Sequence, residues 1–202
     1  MSLREGASVV WPVRVTEVPK APIVDALSAP VMEALQRLAL RQKGPLRHRQ
    51  PVAVIGPGDG GPAECAVAYA VAHALAGAGM VVICGGRGGV MAAASRGARE
   101  AGGIAVGILP EDDDSNANEW LSVAIPTGMG EMRNAIIARS GICLLAIGGN
   151  MGTVSEMAMG LKWGKPVFVM HGEVELPGAV PVSDVNDMLD KVLACLLADH
   201  PD

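Results

Sequence analysis

From Pro51 onward the chain alternates short continuous apolar runs with longer amphipathic or small-residue runs, and glycine marks most of the joins. "VAVIG" leads to "PAECAVAYAVAHALAGAG", "MVVICGG" to "GGVMAAASRGAREAGG", and "IAVGILP" to an acidic loop. "LSVAIPTG" then leads to "EMRNAIIARSG", "ICLLAIGG" to "TVSEMAMGLKWG", and "KPVFVM" through a Pro/Gly loop to "AVPV" and "DVNDMLDKVLACLLADH". Strands that are apolar throughout are buried on both faces, and strands alternating with helices give parallel pairing through crossovers. The pattern predicts an α/β fold: a doubly wound, mostly parallel, Rossmann-like sheet with helices on both faces. In such sheets ligands bind beyond the carboxyl ends of the strands, where strand order reverses. This chain concentrates glycine at those ends.

Residues 1–50 read differently. Pro12, Pro19, Pro22 and Pro30 interrupt them, and "VMEALQRLALRQK" is their one helical stretch. Met32, Leu35, Leu38 and Ala39 fall on one helical stripe, with Glu33, Gln36, Arg37 and Arg41 on other faces. The expected organisation is an N-terminal extension over 1–50 and a Rossmann-like domain over 51–202. The helix either covers the sheet or meets a second subunit.

Composition narrows the chemistry. Half of the 202 residues are hydrophobic but only 2% are aromatic, so the core is built from aliphatic side chains and methionine. A net charge of −5, with Lys and Arg scattered, gives no basic field for nucleic acid. No run of 18 apolar residues suggests a membrane span, and Arg4, Glu5, Arg14, Glu17 and Lys20 spoil a signal-peptide core, so a cytoplasmic protein is expected. Cys65, Cys84, Cys143 and Cys195 lack zinc-site spacing and read as buried free thiols rather than metal ligands or disulfides.

Three glycine loops carry the candidate chemistry. "GPGDGG", with Gly56 and Gly58, matches G-x-G-x-x-G, but the next strand ends in Arg87 where a dinucleotide site wants an acid. Either it is a ligand loop or a simple turn with Pro62 opening a helix. In the second loop Gly85, Gly86, Gly88 and Gly89 flank Arg87, so amides can approach an anion without a Cβ in the way. Arg133 falls at the start of a helix, where a cation is disfavoured unless an anion or a partner such as Glu156 is near. In "IGGNMGTVSE", Gly148, Gly149 and Gly152 allow a tight turn, Asn150 tolerates unusual backbone angles, and Thr153 can cap the helix that follows. Thr153 and Glu156 also have capping-box spacing, in which Glu156 merely bonds back to the Thr153 amide. The alternative is a carboxylate facing a ligand. His48, His73, His171 and His200 are isolated, and "EDDD" at 111–114 reads as a solvated loop rim. No metal site is expected.

Together, "GGRGGVMAAASRGAREAGGIAVGILP", "EMRNAIIARSG" and "GGNMGTVSEMAMGLKWGKPV" resemble the LOG-like ("lonely guy", SLOG) Rossmann proteins over about residues 51 to 200. The resemblance implies either a phosphoribohydrolase, which cleaves the N-glycosidic bond of nucleoside 5′-monophosphates, or a molybdenum-cofactor carrier. The enzymes' P-G-G-x-G-T-x-x-E falls on Gly148, Gly149, Asn150, Met151, Gly152, Thr153, Val154, Ser155 and Glu156, so the proline and the second glycine are replaced. Of their Met-His-Glu-Arg-Lys segment only Arg133 survives, with Asn134 at the lysine position. These departures resemble the carrier-like branch. Relatives often labelled lysine decarboxylase would need a Schiff-base lysine, but Lys162 and Lys165 lie away from the glycine loops.

The expected function is binding of a small phosphorylated, nucleotide-like ligand. Amides of Gly85–Gly89 and Gly149–Thr153 would hold the phosphate, with Arg87 or Arg133 neutralising it. In an enzyme, Glu156 and Arg133 would be the catalytic pair; the alternative is a non-catalytic carrier of a pterin or molybdenum cofactor. No cofactor is required, a nucleotide or pterin is the ligand implied, and the resemblance favours a homodimer.

Overall fold

The computed structural model describes residues 27–44, 50–172 and 174–198. Seven strands, β1 (Val52–Ile55), β2 (Val82–Cys84), β3 (Ala105–Leu109), β4 (Val123–Pro126), β5 (Leu144–Ile147), β6 (Val167–Met170) and β7 (Val180–Pro181), form one sheet in the order β4-β3-β2-β1-β5-β6-β7. Every pairing is parallel. The helices are α1 (Ala29–Gln42), α2 (Pro62–Gly77), α3 (Gly89–Glu100), α4 (Asn134–Ser140), α5 (Met151–Lys162) and α6 (Val185–Leu197), with a 3-10 turn at Gly130–Arg133 before α4.

Alternation along the strands divides the core in two. Val52 and Val54 of β1, with Leu145 and Ile147 of β5, point to one face, which α2, α3 and α6 cover through Val71, Leu75, Val90, Ala94, Met188 and Leu189. Ala53, Ile55, Leu144 and Ala146 point to the other, under Ile137 of α4 and Met157 of α5. Small residues on α2 and α3 allow close packing: a Cβ on Gly97 of α3 would stand 2.3 Å from the Tyr69 carbonyl oxygen of α2.

The doubly wound architecture expected from the sequence is therefore present. The helix of the first 50 residues lies as a third tier, packed on α6 and α2 rather than on the sheet. Arg41 Nη1 donates to the Leu196 carbonyl at 3.0 Å, and the Ser28 amide donates to Asn186 Oδ1 at 2.8 Å. Its inward stripe is Val31, Leu35 and Leu38. Met32, expected on that stripe, is 44% exposed, because Val31, Leu35 and Leu38 stand at i, i+4 and i+7 and Met32 lies one position, about 100°, off that line. Pro12, Pro19, Pro22, His48 and His200 lie outside the described residues. None of the described helices is long and apolar enough to cross a membrane.

Candidate functional site

Strand order reverses between β1 and β5, whose carboxyl ends lie side by side with Ile55 opposite Ala146. A cleft of about 490 Å3 opens there, lined by Ile55, Gly56 and Gly58 after β1, Gly85 and Arg87 after β2, and Met91 of α3. Glu131, Arg133 and Asn134 close the side beyond β4, and Asn150, Met151, Gly152, Thr153 and Glu156 form the opposite wall at the start of α5.

The α5 wall settles the capping question. The helix starts at Met151, and Asn150 is its N-cap: Asn150 Oδ1 accepts from the Thr153 amide at 3.1 Å and from Thr153 Oγ1 at 3.4 Å. Thr153 is therefore not the cap, as its side chain is turned back and 2% exposed. Nor is Glu156 part of a capping box. It lies one turn further in, 6% exposed, with Oε1 3.8 Å from Arg133 Nη1. With Asn150 serving the third amide of the helix, the Met151 and Gly152 amides remain as the first two helical donors, at the positive end of the helix dipole.

Arg133 ends the 3-10 turn and is 6% exposed. Its Nη1 donates to Asn134 Oδ1 and its Nη2 reaches the Gly85 carbonyl at 3.5 Å, while buried Nε has no hydrogen-bond partner. Gly85 makes room for it: a Cβ there would stand 2.7 Å from Nη2 and 2.7 Å from Met91 Sδ. Asn134 in turn spends its amide within the protein, donating to Ser155 Oγ at 3.0 Å and to the Gly152 carbonyl at 3.4 Å. It joins α4 to the first turn of α5.

Burial pushes the Glu156 carboxyl up to about 8, opposed by the Arg133 guanidinium and reinforced by Glu131. The ion pair and this shift point in opposite directions. At 3.8 Å the pair makes no short hydrogen bond, so desolvation outweighs it and Glu156 is largely protonated at neutral pH.

The other candidate residues are not all at the cleft. Arg87 stands at its edge with its side chain 43% exposed and pairs with Glu111, whose carboxyl that contact holds below the usual range. Gly86, Gly88, Gly89, Gly148 and Gly149, expected among the ligand-binding loops, are not among the lining residues. Gly89, at φ +57°, presses against the first loop, where a Cβ would meet Pro57 and Gly58 backbone at 2.6 Å, and the Val90 amide donates to Pro57. The first loop thus packs against the start of α3 and takes the Val90 amide. Gly148, at φ +70°, makes room for Glu64, which itself accepts from the Gly61 amide at 2.6 Å and caps α2. Ile55, Met91 and Glu131 complete the walls without having been singled out in the sequence. Met91 and Ile55 carry ordinary core patterning; Glu131 could have been found only as the neighbour of Arg133. "EDDD" is solvent-facing at Asp112–Asp114, with Glu111 partly buried by its pairing. Cys84 and Cys143 are buried free thiols, whereas Cys65 and Cys195 are free but only partly buried. A second cavity of about 630 Å3, along β6, β7 and the loop between them, contains none of the candidate residues.

The comparisons agree with this architecture. The molybdenum cofactor binding protein of Rippkaea orientalis is similar at 31% identity and TM-score 0.69, covering 73% of this chain and 97% of that one. A Moco carrier protein of Chlamydomonas reinhardtii matches at 30% identity and TM-score 0.67, covering 73% of this chain and 98% of its own. An uncharacterized protein of Archaeoglobus fulgidus is 41% identical over 127 residues, which are 63% of this chain and 83% of the relative. The SLOG cluster4 family matches residues 49–194, a span that runs from just before β1 into α6 and includes every lining residue of the cleft. With sheet order, cleft and family match all coinciding on one stretch, the chain belongs to the SLOG cluster4 family.

Proposed function

We propose that the cleft holds the phosphate of a small phosphorylated heterocycle and that the chain is a non-catalytic binder of the carrier type, with a pterin-based molybdenum cofactor as the first ligand to test. One observation carries this reading: Arg133, nine-tenths buried and with its Nε unpartnered, lines the same cleft as the start of α5. A buried guanidinium with an unmatched donor is costly, and an anion in the cleft would offset its charge while meeting the helix dipole. The similarity to two carriers supports the choice of ligand.

The test is isothermal titration with AMP and inorganic phosphate, together with pterin fluorescence of extracts from freshly purified protein. Saturable binding lost in Arg133→Gln supports the anion site, and a co-purified pterin supports the cargo. Failure of both anions to bind overturns the reading.

Buried Glu156, in the same cleft, favours a second reading as a nucleoside 5′-monophosphate phosphoribohydrolase. Its carboxyl, once ionised, would stabilise a developing oxocarbenium ion while Arg133 held the substrate, so this reading expects turnover to rise as pH passes through about 8. Incubation with AMP separates the two: release of adenine and ribose 5-phosphate that disappears in Glu156→Gln supports hydrolysis, and binding without release supports the carrier. We read the assembly as a homodimer, which the exposed apolar Val123, Ile125 and Met132 support; a monomer mass by light scattering at micromolar concentration would count against it.

A further inference from the structure

The cleft contains a buried carboxyl and a buried guanidinium that face each other without a short hydrogen bond. Glu156 Oε1 and Arg133 Nη1 are 3.8 Å apart, both side chains are 7% exposed, and both line the space a ligand would enter. An anion seated on Arg133 and the first amides of α5 would sit close to Glu156. Two negative charges in one desolvated pocket are disfavoured, so an ionised Glu156 and an anionic ligand are rivals for one cation.

We propose that Glu156 and the ligand's anionic group compete for Arg133, so that the cleft takes up an anion and a proton together. This rests on the anion-site reading above and adds to it a thermodynamic link between occupancy and pH.

The other charged groups around Glu156 leave this assignment intact. Glu131, on the 3-10 turn, adds negative charge, and any anion there makes Glu156 harder to ionise. Arg87, on the loop after β2, is held by Glu111. Glu64, at the start of α2, is tied to the Gly61 amide. On β2, burial raises the Cys84 thiol, so it stays neutral throughout the range in which Glu156 titrates. The Asn134 and Ser155 side chains are neutral and bonded to each other.

The sign follows from the competition. Below about pH 7, Glu156 already carries its proton and the anion meets an uncompensated Arg133. Above about pH 8, each binding event must first protonate Glu156, so affinity falls, approaching about tenfold per pH unit.

Sulfate is the suitable probe, since it keeps a fixed double charge through this range whereas phosphate does not. The experiment is calorimetric titration of sulfate into the full chain at pH 7.0 and 9.5. At the higher pH it is repeated in two buffers of different ionisation enthalpy, which counts the protons taken up. The expected result is affinity weaker by about tenfold or more at pH 9.5, with proton uptake approaching one per sulfate there and close to zero at pH 7.0. In Glu156→Gln the affinity should be nearly level with pH and the uptake absent. Sulfate binding of equal affinity at both pH values, or uptake that persists in Glu156→Gln, overturns the coupling but leaves the anion site standing. No sulfate binding at pH 7.0 overturns both. The buffer comparison on the unaltered chain does not depend on how well the variant folds.

Discussion

Glu156→Gln provides a test of how the cleft is built even without a ligand. In the unfolded chain this carboxyl titrates near its ordinary value of 4.5; in the folded chain it does so at about 8. Between those values the folded state binds more protons than the unfolded one, so this group makes stability fall as pH rises. Its contribution is fully present below about pH 4.5 and is lost as pH passes through 8. The difference between the two values corresponds to several kcal/mol over the whole window, on the order of 1 kcal/mol for each pH unit inside it. That is a large share of the roughly 5 to 15 kcal/mol that holds a domain together. Glutamine keeps the shape and loses the titration. Guanidinium denaturation of both proteins at pH 5, 6, 7, 8 and 9 should show the variant gaining on the parent at each step, with the steepest gain between pH 5 and 8. Glu100, Glu111, Asp113 and Asp187, all with lowered values, act in the opposite sense only at acid pH, and they are common to both proteins. A difference between the two proteins that stays constant with pH would refute the reasoning, because it would mean that Arg133 keeps Glu156 ionised throughout.

Three further outcomes follow from the geometry. Asn150→Ala removes the acceptor for the Thr153 amide and hydroxyl and should lower stability by about 1 kcal/mol, read as a shift in denaturation midpoint at unchanged slope. Gly89→Ala places a methyl 2.6 Å from Pro57 and Gly58 backbone at a positive φ, and should lose about 3 kcal/mol by the same assay. Arg133→Gln should weaken sulfate or phosphate binding at pH 7 by tenfold or more in titration calorimetry, since it removes the buried cation while Asn134 still joins α4 to α5.

Much of the fold was legible because β1 and β5, buried at every position, have continuous apolar sequences, and glycine or proline ends most elements. Gly56 after β1, Gly85 after β2 and Gly148 after β5 are examples. What failed was local and directional. Thr153 had the right residue type for a cap, but the helix began two residues earlier and Asn150 reached the amide first. Met32 gave its inward place to Val31, which completes the i, i+4, i+7 stripe with Leu35 and Leu38. Within the site, Arg133 and Glu156 were recognisable by type and resemblance. Their mutual distance depends on how α4 and α5 sit over the sheet, which no spacing in the chain encodes. The surroundings of Gly89 depend on packing in the same way. Glycine at a strand end permits close approach, but whether of a ligand or of a neighbouring loop is decided by Pro57 and Gly58, some thirty residues away along the chain.

The reversal of strand order has a consequence for assembly. β1 ends at Ile55 and β5 at Ile147, so the two walls of the cleft meet only after the chain has completed four strands on one flank and begun the other. A truncated product stopping before β5 would own three of the loops and no receptor. A ligand bound by the finished cleft would therefore raise the unfolding free energy of the whole cooperative unit.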